Sequence, residues 1–243
     1  MTMAFDAKSN YNTSGLTQTY EHTIVDATRV EAAVVFIARE GVWNATVAPS
    51  YGGTALVEIT SIDSLTNTGW ILKVFHLGAG AALADATPAI GAIFSTNIQT
   101  AYSCFTFTAD ADTEVQDFQE ETGTSTLNPT MANDLALGGN TCYGMACTVY
   151  ESGNPLHVEM RTGYGVNGLL ELDLNDQIVA FTYDTIGTTD IEIGHDSFSQ
   201  SRDWAMASIA IKEIASGSTF TKIASDGGMA GAGGMAGAGG MAG

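Results

Sequence analysis

The chain is 243 residues long, 45% hydrophobic and only 14% charged, with 27 acids against eight bases and a net charge of −19. That is enough apolar material for the core of one large or two small domains, at a charge content well under the roughly 25% usual for soluble domains. It excludes a nucleic-acid binder, which needs clustered Lys and Arg; the bases here are scattered from Lys8 to Lys222.

Residues 1–15 are polar and predict an arm or an extended strand. Met1 to Asn10 lacks the apolar segment of a signal peptide, so the expectation is synthesis in the cytoplasm without an export address. From residue 16 to 215 the sequence predicts strand after strand. Thr17 to Ile24 alternates loosely. Val30 to Ala38 is an apolar run with a β-branched centre, the pattern of a central strand. Thr46 to Ala48 leads into a turn at Gly52-Gly53, and Ala55 to Thr60 is its hairpin partner. Trp70 to Leu77 places Trp70, Leu72, Val74 and His76 on one face and Ile71, Lys73 and Phe75 on the other. Leu77 to Ala92 is mostly small residues interrupted by Asp85 and Pro88. That rules out a membrane span and predicts a tight loop or short helix. Thr100 to Thr108 is a strand, and Met131 to Leu137 reads as one helical turn. Further strands are expected at 142–150, 158–161, 169–174, 177–183, 188–193 and 204–214. Short strands at near-regular spacing, with Gly, Asn, Asp and Thr turns, predict an all-β antiparallel sandwich. The expected organisation is an N-terminal arm (1–15), a sandwich (16–215), and a connector with a glycine-rich tail (216–243).

Candidate chemistry is sparse. Asp110, Asp112, Glu114 and Glu121 occupy positions 1, 3, 5 and 12 of a calcium-loop spacing, but Val115 stands where such a loop needs glycine. The simpler expectation is a solvated loop entering an edge strand whose charges discourage pairing. Calcium is therefore the single cofactor candidate. His195 and Asp196 are adjacent and point apart on a strand, and no GxSxG elbow accompanies Ser197 or Ser199. Cys104, Cys142 and Cys147 give no disulfide framework and no zinc spacing, and are expected as buried small residues. No catalytic residue is predicted. A polysaccharide-cleaving enzyme would need paired carboxylates from 110–121. Trp204 is expected in the core. Trp43, Tyr51 and Trp70 are either core or a platform for sugar rings.

Three segments carry a family likeness: Ser50-Tyr51-Gly52-Gly53-Thr54-Ala55-Leu56, then Lys73-Val74-Phe75-His76-Leu77 before Gly78-Ala79-Gly80, then Ser201-Arg202-Asp203-Trp204 running on to Ile211. In that order, behind the apolar strand Ala33 to Ala38, residues 16–214 resemble jelly-roll domains of tailed-phage virion proteins and bacterial surface proteins. His22-Thr23 fits in part, while Glu21 departs. The resemblance implies a jelly-roll-like sandwich and a structural role in the virion, as capsid decoration, head fibre or minor tail protein. The partners would then be virion subunits such as the major capsid protein and further copies of the chain, for which a trimer would suit. The second expectation is a tail-fibre or cell-surface adhesin for host glycans. The acidic middle and the tail lie outside the shared pattern.

The tail is the most regular segment. From Gly228, glycine recurs at every third position (Gly228, Gly231, Gly234, Gly237, Gly240, Gly243), and methionine at every sixth (Met229, Met235, Met241). Such a chain loses much entropy on ordering and buries little, so alone it is a mobile linker. Bound, it suits a three-fold extended helix with the methionines stacked on one side as apolar anchors for a groove.

Overall fold

The computed structural model describes residues 3–25, 30–62, 70–78, 89–109, 111–126, 130–150, 158–160, 171–172, 178–187, 190, 192–198 and 201–214. Asp110, residues 79–88 and the whole tail with Met229, Met235, Met241, Gly228, Gly231 and Gly234 lie outside them. Every paired strand is antiparallel.

The first nine strands are β1 (Ala4–Thr13), β2 (Thr17–Glu21), β3 (Val30–Glu40), β4 (Ala45–Tyr51), β5 (Thr54–Ala55), β6 (Val57–Ile62), β7 (Trp70–Leu77), β8 (Ala89–Phe94) and β9 (Thr100–Ala109). Their pairs nest: β1 with β9, β2 with β8, β3 with β7, β4 with β5. Nested pairing is one long hairpin. Its tip is the turn at Gly52 and Gly53, whose φ of 55° and 81° only glycine adopts without strain. Rolled up, alternate pairs fall into two sheets, ordered β1-β9-β3-β7-β6 and β2-β8-β4-β5. That is a jelly roll.

The remaining strands repeat it. They are β10 (Thr113–Thr126), β11 (Cys142–Tyr150), β12 (Val158–Met160), β13 (Glu171–Leu172), β14 (Ile178–Gly187), β15 (His195–Phe198) and β16 (Arg202–Glu213). The order β10-β16-β11-β14-β13 matches the first five-stranded sheet position for position, and β12-β15 matches β4-β8. A bridge between Thr130 and Gly194 stands where β2 meets β8 in the first unit. The body expected as one sandwich thus contains two rolls of the same design.

The two five-stranded sheets face each other. Ala32, Val34 and Phe36 of β3, Leu72 and Val74 of β7, and Phe105 and Phe107 of β9 share a core with Tyr143, Met145, Cys147 and Val149 of β11 and Ala207, Ile209 and Ile211 of β16. The opposite face of the first sheet packs on β2, β4 and β8 through Val35, Ile37, Phe75, Tyr102, Tyr20, Tyr51 and Ile90. One sheet is therefore buried on both sides. This explains why the run in β3 is continuously apolar, and why β9 is buried along its whole length.

Of the two readings of residues 1–15, an arm or an extended strand, the strand holds for 4–13, where β1 pairs with β9 from Ala4 to Thr13 and is not a free arm. Three expectations need correction. Residues 131–137 form no helical turn; they run as irregular chain across the second roll, with Met131, Leu135 and Leu137 buried. Residues 190, 192 and 193 of the expected strand 188–193 are not strand, and the strand there is β15. In the ambiguous stretch 77–92, residues 89 onwards belong to β8.

Candidate functional sites

The carboxylates of the calcium spacing lie out along an extended strand. Glu114 and Glu121, seven residues apart on β10, are separated by roughly 20 Å at strand rise. Glu114 pairs with Lys212 at 3.2 Å, and Glu121 accepts the backbone N–H of Ala132. Asp112 uses its backbone carbonyl to receive Ile214 N at 2.7 Å. Among the described residues, no three His, Cys, Asp or Glu side chains come together as metal ligands. β10 is an edge strand, and its acids do a different job. Asp117 Oδ2 accepts Ala136 N at 2.7 Å, and Asp190 Oδ1 accepts Leu137 N at 2.9 Å. With Glu121, these carboxylates clamp the segment 131–137 onto the outer face of the second roll. There Met131 Sδ receives Ser208 Oγ–H at 3.4 Å. Beside the clamp, a Cβ on Gly123 would stand 2.5 Å from the Trp204 indole. The buried Trp204 therefore needs glycine across the ladder.

The buried polar groups of the first roll form two chains. Arg39 is fully buried at the end of β3. It donates to Val42, Ile98 and Thr96 carbonyl oxygens, to Thr100 and Thr96 Oγ1, and to Asn44 Oδ1, at 2.7–3.3 Å. Its guanidinium lies 3.9 Å over the Phe94 ring. Gln18 donates to Thr100 Oγ1 at 3.2 Å and receives Tyr102 O–H at 2.6 Å. The second chain runs Ser9 Oγ to His22 Nδ1 (2.6 Å), His22 Nε2 to Thr106 Oγ1 (3.0 Å), and Thr106 Oγ1–H to Asp6 Oδ2 (3.3 Å). Asp6 also accepts Val25 N at 3.0 Å. Burial lowers His22 to a pKa of about 4, against a smaller upward pull from Asp6. The order Ser–His–Thr–Asp invites comparison with a nucleophile relay, but His22 is wholly buried. The bonds stitch β1 to β9 and to the end of β2. His76 sits between the rolls, its Nε2 3.3 Å from Thr113 Oγ1, and burial lowers it to about 4.

The thiols are buried. Burial raises Cys147 strongly, and it raises Cys142 to about 11 despite nearby Lys212. Neither is poised as a thiolate. Tyr51 is wholly buried. Half-buried Trp43 stacks on Phe75 at 5.9 Å, meets Phe94 edge-on at 5.3 Å and lies 5.0 Å from Lys73 Nζ. Neither ring is an open platform for a sugar; the Trp70 side chain, His157 and the side chains of His195, Asp196 and Ser197 lie outside what is described. No helix among the described residues is long and apolar enough to cross a membrane.

Sequence reasoning found the core tryptophan and the buried cysteines. It missed Arg39, Gln18 and Asp6, and the role of Asp117 within the acidic stretch, because their partners are far off in the chain. The one local hint was a lone arginine closing an apolar run. No family model, curated protein or solved structure matches this chain.

Proposed function

We propose that this chain is a non-enzymatic structural component of a tailed-phage virion, made in the host cytoplasm, that decorates the capsid. Its doubled roll serves as a rigid body, and its C-terminal repeat binds neighbouring subunits such as the major capsid protein. The observation that carries this is the stacking of two like-ordered jelly rolls through one shared core. The side chains of His22, His76 and Arg39 are buried and hydrogen-bonded within the fold, and the cysteines are buried. The chemistry of the tail supports the reading: a charge-free repeat with methionine at every sixth position gains little by folding on itself and fits an apolar groove on another protein. Many modest contacts, multiplied by particle symmetry, then give firm attachment.

The test is deletion of residues 227–243. The body should keep its unfolding midpoint, while occupancy on particles in a competition with the full chain falls at least tenfold. Equal occupancy with and without the tail overturns the role given to it.

A further inference from the structure

β2, β8, β4 and β5 form an outer layer. Their inward side chains are spent on the core: Gln18, Tyr20, Tyr51, Ile90, Ala92 and Phe94 are buried. Their outward face is Thr17, Thr19, Glu21, Val47, Ala48, Thr54 and Ile93, all exposed. Val47 and Ile93 are register partners, 52% and 37% exposed. Leu16, 48% exposed, extends the same end, its carbonyl receiving Phe94 N.

The face is nearly without charge. Glu21 is the one acidic or basic residue in these four strands. Residues 41–57 and 86–109 contain no Asp, Glu, Lys or Arg, in a chain with 27 acids and eight bases. By contrast, β10 alone carries Glu114, Asp117, Glu120 and Glu121. A sheet face that meets only water gains solubility from charge. A face stripped of it in so acidic a protein is shaped for contact.

We propose that this face docks on a second copy of the chain, sheet against sheet. Electrostatics selects the occupant. Two bodies of net charge −19 repel wherever their acids meet, and like charges brought together cost several kcal/mol. A basic partner would be drawn to the acid-bearing strands; an identical acidic partner can approach closely only where charge is sparse, as on this face with its single Glu21 at one end of β2. Threonine, valine, isoleucine and alanine on the face of a sheet pack against their like at about 10 Å between sheets. A two-fold axis through the face makes the contact self-complementary. This goes beyond the reading above and requires no particle.

The experiment is sedimentation of the full chain over a range of concentrations and salt. The expected result is reversible self-association that strengthens with salt, because screening removes net repulsion and no ion pair is lost. Val47→Glu and Ile93→Glu should each weaken association roughly a hundredfold or more without shifting the unfolding midpoint. A Thr46→Cys variant should take up a maleimide when dilute and resist it when concentrated. A wild-type chain that stays monomeric throughout overturns the proposal, as does an oligomer unaffected by both glutamates. A monomer that instead loses capsid binding in those variants assigns the face to a shell protein and also overturns it. The tail-deletion result bears on neither outcome.

Discussion

At the scale of single residues, the two described histidine side chains act as neutral internal acceptors or donors, and this sets how the protein responds to acid. His22 and His76 titrate near 4 in the folded chain, against an ordinary value of 6.5, because burial disfavours the imidazolium. Between those values the unfolded chain binds protons that the folded chain refuses. Stability therefore rises with pH across the window: it is complete above about 6.5 and is lost as pH falls toward 4. The loss is at most about 3 kcal/mol for each group. Urea midpoints should be flat above the window and fall through it. A His22→Asn, His76→Asn double variant should show a shallower fall than wild type. A slope as steep as wild type would assign the acid response to carboxylates instead.

At the scale of elements, segment 131–137 has no regular structure of its own and is held by carboxylates from elsewhere: Asp117 and Glu121 on β10, and Asp190 before β15. Charged acceptors on backbone N–H groups are among the stronger hydrogen bonds. Asp117→Ala should cost about 1–2 kcal/mol and speed hydrogen exchange at the Ala136 amide, while amides in β11 and β16 keep their protection. Unchanged exchange at Ala136 would show that buried Leu135 and Leu137 hold the segment unaided. The same segment shows why parts of the fold were illegible. Its residues have the local pattern of a helical turn, and nothing local records the acids that pin it flat. β1 and β10 were legible only in part: an extended strand was one of two readings for 1–15, and an edge strand was expected beyond the acidic loop, but neither its length nor its partner. They are edge strands rich in Ser, Asn, Thr and acids, and their apolar alternation is too weak to fix their bounds. β3, β7, β9 and β16, buried on at least one face, were plain from periodicity alone. Among candidate sites, the calcium spacing was visible because it is local, and Arg39 was not, because its partners span residues 42–100.

At the scale of the whole molecule, the doubling is a property of pairing rather than of residue identity, so no repeated motif betrays it. Its consequence is energetic. The first roll presents Val34, Phe36, Leu72, Val74, Phe105 and Phe107 to the second, and the second returns Tyr143, Met145, Val149, Ile209 and Ile211. Each side is an apolar patch on a five-stranded sheet, which in isolation would be a large exposed surface of the kind that drives aggregation. The His76–Thr113 hydrogen bond joins the units near the linker. It does not offset the loss of that core. Residues 1–110 and 111–243, expressed apart, should therefore aggregate or fail to unfold cooperatively. Expressed together, they should co-purify as one complex with a single unfolding transition, because the shared core needs no covalent link. A soluble, monomeric first half with its own sharp transition would mean that β2, β4 and β8 alone suffice to stabilise the central sheet, and that the second roll is an addition to a domain already complete.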